Sequence, residues 1–336
     1  MYFMSAFFFV SACFCPKSLD RKGFRVFVID KIVRLGGPFV LFTLFLQPLL
    51  QTIPGQAFYG QPIQYTLHGY GGPSMNLAVV WFILWLLNFS IVYAVLAEFV
   101  PKIEISMPHP LALLPAGLVL MGAVFLPMYL APDSVQAYYG TGTITQWNMG
   151  IMYICFFTCG VIAGRNNWLK SIEEMRLWVV WVLRLIVVGF WVTIFLAVAK
   201  NTIPSFPGLH LNSDLALNGL IPPVYAVPMT LAIIQFFHQY FNATPQSKLA
   251  KGAGQAAYMV YVIQYLPLSW FLIAYIAILK AVGLQITPQY DTGGWTPYGT
   301  GGLIWGGFFF VLVLTQLTLW PSCFYLRKLP VLNKMF

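Results

Sequence analysis

Residues 177–199 read LWVVWVLRLIVVGFWVTIFLAVA, and Arg184 is the one charge in the run. Roughly 20 apolar residues in helical form cross the hydrocarbon of a bilayer. Apolar side chains fill every face, without the in-out alternation of a barrel strand, so the run reads as a membrane helix. Backbone polar groups in lipid must be satisfied within their own segment, which leaves the helix as the only form for so long a run. Eight more segments of this kind surround it, at 1–14, 38–53, 77–100, 110–130, 147–164, 221–240, 255–280 and 302–325. The expected fold is all-α, a polytopic transmembrane bundle of about nine helices. Pro48, Pro115, Pro127 and Pro267 fall inside spans and are expected to kink them.

Composition agrees with the pattern. Hydrophobic residues make up 59% of 336 positions and charged residues 8%, against roughly 25% charge in a soluble domain. No soluble domain and no internal repeat is visible, so residues 1–336 read as a single membrane domain. The net charge of +9 does not point to nucleic acid, because the basic residues sit in short clusters between apolar runs. The five cysteines, Cys13, Cys15, Cys155, Cys159 and Cys323, lie in or beside apolar segments without histidines at ligand spacing. Neither a disulfide framework nor a metal site is expected.

The clusters also set the orientation. Lys17, Arg21, Lys22, Arg25, Lys31 and Arg34 follow the first span; Lys102, then Arg165, Lys170 and Arg176, then Lys248 and Lys251 occupy later loops on that side, and Arg327, Lys328 and Lys334 the tail. The loops 54–76, 131–146, 201–220 and 281–301 hold no Lys or Arg, and only Lys200 and Lys280 stand at helix ends facing them. By the positive-inside rule the basic side and the C-terminus are cytoplasmic, with the plasma (inner) membrane the expected location. The opposite loops are rich in Gly, Pro, Tyr and amides, as in Tyr59-Gly60-Gln61-Pro62 and Gly293-Gly294-Trp295-Thr296-Pro297-Tyr298. Interfacial anchoring and a polar acceptor site both account for them. The first span supplies only 14 residues and no positive n-region. The expectation is an N-terminally incomplete domain whose full form has ten spans.

Several stretches together resemble one family. They are Phe7-Phe8-Phe9-Val10-Ser11-Ala12, Ser18-Leu19-Asp20-Arg21-Lys22-Gly23-Phe24, and Asp30-Lys31-Ile32-Val33-Arg34-Leu35-Gly36-Gly37-Pro38-Phe39. Trp81-Phe82-Ile83, Phe156-Phe157-Thr158-Cys159-Gly160 with Arg165-Asn166-Asn167-Trp168-Leu169, and Ala257-Tyr258-Met259-Val260-Tyr261-Val262-Ile263-Gln264 follow in order. In order and spacing they resemble the acyltransferase-3 family over nearly the whole chain.

The resemblance implies a membrane-bound acyltransferase. Such a protein moves an acyl group, often acetyl, from cytoplasmic acyl-CoA to a hydroxyl of an extracytoplasmic carbohydrate or lipid-linked glycan. No bound cofactor is implied, since acyl-CoA is a substrate; the partners are membrane lipids, the donor and a carbohydrate or glycolipid acceptor. The family's basic pair appears as Lys31 and Arg34, two cations at i and i+3 for CoA phosphates. Lysine at the first position offers a point charge where the family has a fork. Arg165 and Arg184 are the further candidates for the donor. The family's catalytic histidine belongs to a helix upstream of residue 1, and the histidine frequent at the position of Gln264 is absent. His68 and His210 fall in outer loops, His109 in a cytoplasmic one and His238 near the cytoplasmic end of a helix; none takes that histidine's place, so the catalytic residue is unknown and His238 is the first to test.

Other readings of the polar residues stay open. Arg184 lies about 12 Å inside its span, with Glu98 or a snorkelling route to compensate it. Asn88, Gln235 and Gln264 read as hydrogen-bonding glue between helices, and Gly160 with Gly164 as a close helix contact. Tyr258, Tyr261 and Tyr265 form a packing stripe. The sequon Asn242-Ala243-Thr244 falls on the side where it is not glycosylated. A catalytically inactive remnant and a glycan-export or transporter-like membrane protein remain the alternatives to the enzyme.

Overall fold

The computed structural model describes residues 2–47, 49, 80–130, 147–199, 221–242, 247–283 and 301–336. Pro48, His68, His210, Lys200, the Tyr59 and Gly293 motifs and the sequon beyond Asn242 lie outside them. Among the described residues every regular element is helical. In chain order these are α1 (Tyr2–Cys13), α2 (Cys15–Lys22), α3 (Phe24–Lys31), α4 (Gly37–Leu41), α5 (Trp81–Leu96) and α6 (Leu114–Leu130). Then come α7 (Trp147–Arg165), α8 (Trp168–Glu173), α9 (Leu177–Ala199), α10 (Ile221–Phe237), α11 (Lys248–Ile263), α12 (Tyr265–Ala281), α13 (Gly301–Leu326) and α14 (Pro330–Met335). π-Helical turns at Ile32–Gly36, Phe42–Leu46 and His238–Asn242 extend their neighbours.

Among the described residues the nine sequence segments fall mainly on helix; two details differ from the sequence expectation, and the kink expected at Pro267 is present as a break. The basic stretch after the first span is not a loop: α2 and α3 are two helical turns each, joined at Gly23, whose φ of +74° is open to glycine at little cost. Lys22 reaches across that corner to Asp30 at 2.8 Å. The span at 255–280 is broken at Gln264, and its halves meet at 65°. Pro267 explains the break, because it has no N–H for the carbonyl of Ile263 and its ring crowds that turn. Pro115 begins α6 after a 3₁₀ turn, a position where a missing N–H is harmless.

The outward faces are apolar. On α9, Trp181, Leu185 and Val188 are 52%, 66% and 58% exposed, an arrangement that suits lipid rather than water. Among the described residues, Trp305–Leu326 is by itself long and apolar enough to cross a membrane, and the bent α11–α12 pair qualifies as a broken span.

The chain divides into two compact units. In the first, residues 1–31 and 85–245, α1 packs along α7 and α10, and α10 also contacts α6, α8 and α9. Gly160 and Gly164 make the α1–α7 contact possible. A Cβ at Gly160 would overlap the Phe9 carbonyl, and one at Gly164 the Cys13 carbonyl, so only hydrogen fits between these backbones. The close approach expected from the small-residue spacing is therefore present. Phe8, at 5.0 Å from the Tyr153 ring and 5.4 Å from that of Phe89, fills the space beside it.

In the second unit, residues 32–84 and 246–336, α13 packs on α11 and α12 around Ala256, Met259, Leu319 and Cys323. Pro38 cannot supply the N–H that would serve the Arg34 carbonyl four residues back; the Tyr258 hydroxyl donates to that carbonyl at 2.9 Å instead. Tyr261 packs edge-on against Phe82 at 6.2 Å, whereas Tyr265 lies beyond the break, so the tyrosine stripe serves two helices.

Candidate functional site

The last turn of α7 carries the best-developed polar centre. Arg165 follows Gly164 directly, so the glycine contact that sets α7 against α1 also sets the height of the guanidinium. Arg165 is 16% exposed, donates from Nη2 to the Tyr93 hydroxyl at 2.8 Å, and stands 3.7 Å from Asp20 Oδ2. Asn166 then pins the segment after α5: its Nδ2 donates to the Ile103 carbonyl at 3.1 Å and its Oδ1 accepts from the Ile105 amide at 3.2 Å. Trp168, nearly buried, donates from Nε1 to the Ile105 carbonyl at 2.8 Å. Between them Asn167 turns the chain at φ 55°, a left-handed conformation that asparagine tolerates. Its side chain accepts from Lys17 Nζ at 3.0 Å.

These contacts border an open cleft of about 530 Å³, lined by Lys17, Asp20, Lys102, Glu104, Ser106 and Arg165 among others. Three cations against two carboxylates, with backbone groups of the pinned segment along one wall, make a polar chamber whose net charge is positive. Such a chamber favours an anion with several oxygens, for which a guanidinium offers planar, charge-assisted hydrogen bonds.

A family model described as an acyltransferase domain matches residues 1–323. The chain belongs to the acyltransferase-3 family. No curated protein and no solved structure matches it. An acyltransferase-3 chain is an acyltransferase, so this protein is an enzyme that transfers acyl groups.

The cations expected from the acyltransferase-3 resemblance fall in different settings. Lys31 closes α3 with its ammonium 5.4 Å from the Phe27 ring centre. Arg34 lies in the π turn Ile32–Gly36, where three residues rotate through less of a turn than in an α-helix. Arg184 is held between helices: Nη2 donates to Gln235 at 3.0 Å and Gln239 at 2.7 Å, with the Trp181 and Tyr240 rings 5.3 and 5.4 Å away. Gln235 is thus interhelical glue, as its type and position suggested. Glu98 is not the partner of Arg184; it stands beyond the last turn of α5, in an exposed turn.

His238 heads the π turn after α10, 37% exposed, with Nδ1 3.3 Å from Glu173 Oε1 and 3.4 Å from Asn242 Nδ2. His109 accepts from the Leu111 amide and caps the 3₁₀ turn before α6. Sequence reasoning missed Tyr93, Lys17 and Lys102 as neighbours of Arg165, and Glu173 as the neighbour of His238. The Arg165-to-Trp168 stretch was the available signal, because two asparagines and a tryptophan at the mouth of an apolar helix are costly unless their polar groups are used. Among the described residues no group of His, Cys, Asp and Glu could hold a metal ion.

Proposed function

We propose that this acyltransferase takes its acyl group from acyl-CoA on the basic, cytoplasmic side of a plasma (inner) membrane. The acceptor is a hydroxyl of a carbohydrate or lipid-linked glycan on the other side. The observation that supports the donor most directly is the Arg165 chamber, where Lys17 and Lys102 join the guanidinium in a space large enough for a polyphosphate. Lys31 and Arg34 are the basic pair that the family resemblance offers for donor phosphates, and Arg184, within α9, is a further cation for the donor. The loop asymmetry of Lys and Arg supports a cytoplasmic position for this side, where acyl-CoA is made. Acetyl, the group most often implied by the family resemblance, is the smallest case of the donor.

The test is retention of radiolabelled acetyl-CoA by solubilised protein, with free CoA as competitor. Arg165→Gln removes a charge-assisted contact worth about 1.5–3 kcal/mol, so donor affinity should fall roughly ten- to a hundred-fold or more. Lys17→Gln should weaken binding less, since an exposed ammonium gains little from one contact. Binding unchanged in the Arg165 variant, with α7 intact by proteolysis, refutes the assignment.

A further inference from the structure

On the other side of the pinned segment lies a second cavity of the same unit, and its character is opposite. It measures about 350 Å³ and its wall is apolar, with Leu120, Phe156, Trp168 and Ile172 at the bottom and Cys155 and Cys159 along α7. The hydroxyl on its wall, Thr230, already donates to the Ala226 carbonyl at 2.7 Å. The cavity is half open along α6, where Val119 is 75% exposed, and an apolar groove of this kind takes apolar ligands. Ala116 and Ala123, where larger residues would plug the space, keep it open.

Two features join this cavity to the polar chamber. The segment that lines the chamber through Ile103, Glu104 and Ser106 continues directly into Met107, which lines the apolar cavity. Trp168 presents its ring to the apolar side while its Nε1 holds the Ile105 carbonyl between the two. The pair suits a molecule with a polyanionic head and an apolar chain. A phospholipid has that form, but the three cations of the cleft, Lys17, Lys102 and Arg165, suit a head with more than one phosphate.

Resting on the donor reading above, we propose that the apolar cavity receives the acyl chain of the donor, and that this enzyme accepts chains well beyond acetyl. At roughly 30 Å³ per water-sized group the cavity takes about ten methylenes. Each buried methylene strengthens binding by up to about fourfold, so octanoyl-CoA should bind at least tenfold more tightly than acetyl-CoA.

Cys155 and Cys159 report occupancy without any turnover. Both are exposed, whereas Cys13, Cys15 and Cys323 are buried. Solubilised protein is treated with N-ethylmaleimide, and modification of each cysteine is followed by mass spectrometry against acetyl-, butyryl-, octanoyl- and dodecanoyl-CoA. The proposal requires protection of Cys155 and Cys159 at concentrations that fall with chain length to about ten carbons. It also requires that Ala116→Phe, at an exposed position on the cavity wall, removes the octanoyl advantage while acetyl-CoA retention is kept. Protection independent of chain length, with acetyl-CoA still retained, overturns the chain site and leaves the donor reading standing. Protection by an anionic phospholipid and by no acyl-CoA overturns it in favour of a lipid groove. Failure to retain any CoA thioester overturns the donor reading itself.

Discussion

Replacing Gly164 with alanine tests whether the α1–α7 contact sets the site. The added Cβ would sit 2.8 Å from the Cys13 Cα and overlap its carbonyl, and the obstacle is backbone, which no rotamer change can clear. α1 and α7 must therefore separate locally. Overpacking of this kind costs about 1–3 kcal/mol. The comparison is Gly122→Ala and Gly189→Ala, where nothing lies within 4 Å of the new methyl and the helix gains about 0.5–1 kcal/mol. The contrast should be about 1.5–4 kcal/mol between the two kinds of alanine substitution. Denaturation midpoints in detergent, followed by tryptophan fluorescence, measure it. Because Arg165 is the next residue, the separation also shifts the guanidinium against Tyr93 and Asp20. Misplacement by about 1 Å can reduce catalysis on the order of a hundred-fold, so Gly164→Ala should lose donor binding or turnover even where it remains folded. Equal midpoints for Gly164→Ala and Gly122→Ala would refute the reasoning.

Asn166→Ala removes three hydrogen bonds, to Ile103, Ile105 and Ile162, worth about 0.5–1.5 kcal/mol each; hydrogen exchange over residues 102–106 should accelerate at least tenfold, while exchange within α7 stays slow. His238→Ala should leave acyl transfer within a few-fold of the parent if the Glu173 contact is an exposed surface pair. A loss of about 10²–10⁴-fold would instead make His238 the general base. For orientation, cysteines placed at Lys22 and Lys170 in intact cells should be shielded from an impermeant thiol reagent while one at Gly294 is labelled, and labelling at Lys22 reverses the assignment.

The helices of this protein were legible without coordinates because lipid leaves a long apolar segment one way to satisfy its backbone. The run at 177–199, the clusters of Lys and Arg, and the Gly160–Gly164 spacing each carry a local physical instruction, for a span, a side and a close approach. Residues distant in the chain had to meet before the rest existed. Arg165 and Tyr93 are 72 positions apart, Trp168 and Ile105 63, and Arg184 and Gln235 51. Which helix faces which, and at what rotation, decides these pairs, and hydrophobic periodicity is silent on it when every face of a helix is apolar. For that reason the sequence offered Glu98 as the candidate partner of Arg184 and Gln235 only as glue between helices. Packing placed the glutamine on the neighbouring helix and left Glu98 beyond the end of α5. The two cavities have the same origin: their linings come from α1, α2, α6, α7, α8, α10 and the pinned segment. Composition determined that this chain is a helical membrane protein, and the tertiary contacts of Gly164, Asn166 and Trp168 decided where a polar chamber and an apolar one open within it.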